Sequence, residues 1–83
     1  MFGGIFVECS LSDLCPGERG MVQQMDINKV LNDRLKDFGF VTGTKVSCDY
    51  LGPGRKVMAV GCRGCVIALR TRDLQKIRVS IHE

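Results

Sequence analysis

Cysteines at 62 and 65 are the residues whose type and spacing most invite chemistry. In Cys62-Arg63-Gly64-Cys65 the central pair reads as a two-residue hairpin connection, which points both sulfurs to one side of a sheet. Two such thiols are half of a zinc or ferrous site. A tetrahedral structural site takes four ligands, and no second C-x-x-C exists in the chain. Cys9, Cys15, Cys48 and His82 complete it only where the fold or a dimer gathers them. Two plainer readings compete with the metal. Reduced cysteines serve as small, partly buried apolar side chains, and paired thiols serve as a redox dithiol. The dithiol lacks the helix N-terminus that lowers a thiol pKa, because a strand follows the second cysteine.

Catalysis has little to stand on. His82 is the only histidine and lies at the C-terminal end, with no nucleophile and orienting group assembled around it. Asp33 and Asp37 fall four apart on the exposed side of a helix, where a solvated pair is expected. Gly52-Pro53-Gly54 is not followed by the strand-to-helix step and Lys-Ser/Thr of a phosphate loop. The sequence therefore predicts a protein that is not an enzyme.

The elements that must position these residues are short. Leu31, Leu35 and Phe38 recur at i, i+4 and i+7, which predicts a helix over about 28–38 with those three side chains on its buried face. Asp26 or Asn28 supplies its cap. Gly39 ends it, and Phe40 sits where a Schellman motif returns an apolar contact to the last turn. Before the helix, residues 5–9 read as a short strand or a tail. Ser10 is expected to cap a turn, and Cys15-Pro16-Gly17-Glu18 reads as a β-turn. A strand follows over about 20–25. After the helix, 44–51 alternates Val46, Cys48 and Tyr50 inward. Further strands are expected over 55–62, 65–70 and 76–81, with a single turn at 71–75 capped by Thr71. Too little chain separates the strands for crossovers, so about five of them pair antiparallel. The fold class is mostly β, a small barrel whose closure removes its edges and whose helix plugs one end.

Composition agrees with one small domain. The chain has 83 residues, 45% apolar and 25% charged, which is near the average for globular proteins. A chain of this length buries about 60–65% of its unfolded surface. Residues 1–43 carry four basic and six acidic groups, net −2, whereas residues 44–83 carry eight and three, net +5. That asymmetry raises nucleic acid or acidic lipid as partners. Single-strand binding, however, uses aromatic platforms, and here tryptophan is absent, tyrosine single, and Phe38 and Phe40 assigned to packing. Stable nucleic-acid binding is therefore not expected. The apolar opening Met1–Val7 is short and lacks a basic region, so it reads as neither signal peptide nor membrane span. With five cysteines and no export signal, reduced thiols and a cytoplasmic location are expected.

Three stretches in order, Leu11-Ser12-Asp13-Leu14-Cys15-Pro16-Gly17-Glu18-Arg19-Gly20, Arg34-Leu35-Lys36-Asp37-Phe38-Gly39-Phe40 with Gly43-Thr44, and Arg63-Gly64-Cys65-Val66-Ile67-Ala68-Leu69-Arg70, resemble the ferrous iron transport protein A (FeoA) family. The resemblance spans about residues 11–81. It implies an SH3-like barrel over 11–83 with an N-terminal extension at 1–10. It also implies a cytosolic, non-enzymatic accessory of FeoB, the membrane GTPase transporter of Fe²⁺. Arg34, Phe40, Arg63 and Arg70 become candidate partner contacts, and Cys62 and Cys65 candidate ligands for zinc or Fe²⁺, with no other cofactor and with self-association open. The alternatives are an SH3-like nucleic-acid module and a small thiol-based metal-binding protein. Thr42 stands where the family has proline, and Gly52-Pro53-Gly54 is a shortened form of its L-G-D-P loop.

Overall fold

Six period-two runs form strands, and a computed structural model describes them over residues 6–82. They are β1 (Phe6–Ser10), β2 (Arg19–Met25), β3 (Lys45–Leu51), β4 (Val57–Cys62), β5 (Cys65–Arg70) and β6 (Ile77–His82). Helix α1 (Lys29–Asp37) separates β2 from β3, and the single turn α2 (Thr71–Leu74) separates β5 from β6. All ladders are antiparallel, in one sheet of order β1-β6-β2-β3-β4-β5. The mostly β architecture is the expected one, with a sixth strand. Residues 6–10 pair with β6 from Phe6↔His82 to Ser10↔Arg78, while residues 1–5 of the expected extension and Glu83 lie outside the described residues. The sheet keeps two edges: among the described residues no ladder joins β1 to β5.

The helix begins and ends as its residues dictate. Asn28 holds extended backbone and its side-chain Oδ1 accepts the Leu31 N–H at 2.8 Å, satisfying one orphan donor of the first turn. At the other end Gly39, at φ +81°, donates to the Lys36 carbonyl and Phe40 donates to the Leu35 carbonyl. Those two bonds are a Schellman motif. It folds Phe40 back under the helix, where Phe40 is fully buried beside Leu35. Phe38, expected on the buried face, is instead 47% exposed. It sits at the C-cap with non-helical backbone (φ −92°, ψ 2°), so the helical period no longer carries it to the core.

The core lies between α1 and one face of the sheet. Val22, Val46, Met58, Val60, Ile77 and Val79 point inward from β2, β3, β4 and β6 and form a continuous apolar layer that Leu11, Leu14, Leu35, Phe40 and Leu74 close. Tyr50 departs from its expected inward place. The register passes from Cys48↔Val60 to Tyr50↔Ala59, so Asp49 is an extra residue, a β-bulge. The bulge turns both Asp49 and Tyr50 outward and returns Leu51 to the core side. A second bulge lies in β2 between Val22 and Gln24. The two turns also differ from their expected caps. The Ser10 hydroxyl donates to the Gln75 carbonyl, and the Thr71 hydroxyl donates to the Arg55 carbonyl.

Candidate docking surface

Outward side chains of β2 to β5 stand in a row, with Arg19 opposite Ser47, Ser47 opposite Gly61 and Gly61 opposite Val66. Gly61 is a glycine of close approach. A Cβ there would lie 2.6 Å from Ser47 Oγ and 2.9 Å from Asp49 Oδ2. The space it leaves admits the Asp49 carboxylate, whose Oδ1 accepts a 2.7 Å hydrogen bond from the Ser47 hydroxyl. Beside this pair opens a cleft of about 480 Å³ walled by Arg19, Lys45, Asp49, Arg63 and Val66. A second cleft, about 800 Å³, shares Arg19 and Lys45 and continues toward Glu8 and Ser80. Tyr50 is 61% exposed and Val66 64% exposed on the same outward side.

The surface is cationic because its charges are left open. Among the described residues the ion pairs are Lys29–Asp33 at 3.0 Å and Arg78–Glu8 at 3.6 Å. Arg19, Lys45 and Arg63, which wall the first cleft, take part in neither. An outward sheet face carrying apolar patches between unpaired cations is complementary to apolar and acidic groups.

Of the residues singled out in the sequence, Arg63 has the most specific setting. It and Gly64 hold φ of 51° and 85°, the pair a type I′ hairpin turn uses. The Arg63 stem lies across the end of α1, so that a Cβ on Gly39 would meet its Cδ at 2.5 Å. Two separate stretches of the sequence therefore touch, and a cation rests at the negative end of the helix dipole. Arg34 is exposed in the last turn of the same helix. Arg70 lies at the far end of β5, about 17 Å of strand from Cys65. Phe40 has no exposed surface. As a partner contact it is corrected to a core residue, because the Schellman motif turns it inward.

Cys62 and Cys65 are register partners across the hairpin, Cys62 buried and Cys65 exposed, and both are free thiols. Burial pushes the Cys62 thiol above its ordinary pKa, with Arg63 pulling it down and Cys65 adding to the rise. Cys9 and Cys48 are raised as well, again chiefly by burial. A proton held more tightly makes a poorer ligand and nucleophile. Among the described residues no three His, Cys, Asp or Glu side chains gather as a metal group, and two sulfurs alone do not fill a tetrahedral site. The side chain of His82 lies outside the described residues.

Sequence reasoning missed Tyr50 and Phe38 as exposed aromatics, and it missed the neighbouring cations Arg19 and Lys45. The signal for the cations was present, since both occupy outward positions of neighbouring strands. The bulge that exposes Tyr50 leaves no mark in a period-two pattern. With Phe38 and Tyr50 outside, the premise that packing consumes the aromatic side chains does not hold. No helix among the described residues is long and apolar enough to cross a membrane.

Comparison with known proteins follows the same outline. The FeoA domain family model matches residues 9–81. The solution structure of the FeoA protein from Chlorobium tepidum is similar at 29% identity and a TM-score of 0.83, over 87% of this chain and 69% of that one. The FeoA of Stenotrophomonas maltophilia complexed with zinc, described as an SH3 domain protein, is similar at 27% identity and a TM-score of 0.68, over 84% and 87%. The IdeR of T. acidophilum shares the fold alone, with 14% identity and a TM-score of 0.75, and this chain spans 34% of its length. A search of curated proteins gives no match. Because the family model covers nearly the whole chain and the ladders, bulges and hairpin form one SH3-like unit, the chain belongs to the FeoA domain family.

Proposed function

We propose that this protein is a non-catalytic, cytosolic accessory of ferrous iron uptake that docks on a FeoB-type membrane GTPase transporter and biases its state. The observation that carries the reading is the open, cationic outward face of the sheet in a chain of the FeoA family. A rigid small domain acts on such a partner through binding energy alone. It shifts the transporter between two states only by the difference in its affinity for them. Arg63 walls that face and is fixed by its surroundings, and Arg70 stands on the outward side of β5, whereas Arg34 is exposed on α1, across the core from it.

The test is capture of the purified cytosolic GTPase domain of a FeoB-type transporter on the immobilised protein at low ionic strength. Retention that weakens as salt rises supports the reading, because exposed charges are screened. Absence of retention overturns it. Retention on single-stranded DNA or RNA instead, lost steeply with salt, replaces it with the nucleic-acid alternative.

A second reading has one observation behind it, the facing of Cys62 and Cys65 across the hairpin. Two copies, each supplying that pair, give one zinc ion four thiolate ligands. Zinc titration of the reduced protein, with Cys62→Ser as control, checks it. Submicromolar uptake with dimer formation supports it, and its absence removes it.

A further inference from the structure

β5 is a sheet edge without the usual protection. It pairs with β4 in unbroken register from Cys62↔Cys65 to Val57↔Arg70, and the bulges of this sheet lie in β2 and β3 instead. Natural edges are blunted by bulges, proline or charged side chains. Cys65-Val66-Ile67-Ala68-Leu69 has none of these, and charge enters only at Arg70. The opposite edge, β1, carries Glu8 in an ion pair with Arg78.

Hairpin alternation fixes which backbone groups of β5 are free. Cys62 and Cys65 flank a two-residue turn and exchange hydrogen bonds, so ladder bonds recur at Ile67 and Leu69. The Thr71 N–H donates to the Lys56 carbonyl at 3.0 Å, in phase with that alternation. The N–H and C=O groups of Val66 and Ala68 therefore point away from β4. Among the described residues no other strand or turn bonds to them.

Charge then selects the occupant. Arg63 precedes the strand and Arg70 and Arg72 follow its apolar stretch. The β5 of a second copy carries Arg70 and no acidic residue, so it offers these arginines no opposite charge. An extended segment with an apolar centre and acidic ends meets opposite charge at both ends. We propose that the open edge of β5 takes such an acid-flanked segment of a partner as a seventh strand. Its apolar side chains lie along Val66 and Ala68, and its carboxylates beside Arg63 and Arg70. The inference rests on the docking reading only for the source of the segment, a FeoB-type transporter.

The test is titration of the isotope-labelled protein with the capped synthetic peptide Glu-Thr-Val-Thr-Val-Thr-Glu, which sets two valines between two glutamates on one face of a strand, followed by amide NMR and hydrogen exchange. Shifts centred on β5 and β4, with slowed exchange at the Val66 and Ala68 amides, support strand addition. Replacing glutamate by lysine weakens binding about tenfold or more. Ala68→Pro removes an outward N–H without breaking the ladder to β4, so binding is lost while the fold stays. Two further peptides, N-methylated at the valine and glutamate positions or at the threonine positions, need no protein variant, and one of them loses binding. Absence of binding, shifts elsewhere on the protein, or equal binding of both methylated peptides overturns the inference. Capture of the transporter domain by wild type and Ala68→Pro alike overturns it and leaves docking standing. Peptide binding at β5 without capture of the transporter domain supports the edge and overturns docking.

Discussion

Gly39 and Arg63 hold one another in place at the residue scale. Gly39 takes φ +81°, and the Arg63 stem fills the space a side chain would need. Gly39→Ala is expected to cost about 1–3 kcal/mol in chemical denaturation, from left-handed backbone and collision together. Arg63→Ala in the same chain should restore only the collision part, and a double-mutant cycle reads that coupling. The buried thiols give a second residue-scale prediction. Cys9, Cys48 and Cys62 have native pKa values raised by burial. The native state then keeps protons that the unfolded chain releases from about pH 8.5 upward. Stability is fully present below that pH and falls as pH rises through the native values. Urea midpoints measured in reducing buffer should be level near neutrality and drop above about pH 9, less steeply for Cys62→Ala. Flat midpoints through the alkaline range would contradict it.

Elements show what the sequence made legible and where it could not. Helix α1 was readable because its period, cap and terminating glycine agree, and the structure differs from the expected 28–38 by a residue at each end. Asn28→Ala should lower stability by about 1 kcal/mol through the lost bond to the Leu31 N–H. Phe40→Ala should cost about 3–5 kcal/mol, since the side chain is fully buried under α1. A Phe40→Ala loss below about 1 kcal/mol would place that residue outside the core. The hairpin at Arg63-Gly64 was equally plain, because only a two-residue turn fits between the runs. Tyr50 was misplaced because alternation has no memory of an inserted residue, and the bulge at Asp49 reverses every side chain after it. Phe38 was misplaced because the helix ends one residue before the period would use it. The SH3-like barrel was legible, but strand count does not say whether the last pair of edges meets, and among the described residues no ladder joins them. The candidate site was legible as single arginines and not as a surface. Its cations come from β2, β3 and the hairpin, which only the sheet order brings together.

At the scale of the whole molecule the charge asymmetry acquires a place. The basic C-terminal half supplies β3 to β6, and its Lys45 and Arg63 join Arg19 at one cleft of the sheet, while the ion pairs among the described residues lie on α1 and between β1 and β6. The account stands on docking that distinguishes two states of a partner. The direct measurement is calorimetric titration of this protein with the GTPase domain of a FeoB-type transporter, once loaded with GDP and once with a non-hydrolysable GTP analogue. The account predicts saturable binding whose affinity differs between the two by about fivefold or more. Equal affinities, or no heat of binding to either form, would contradict it.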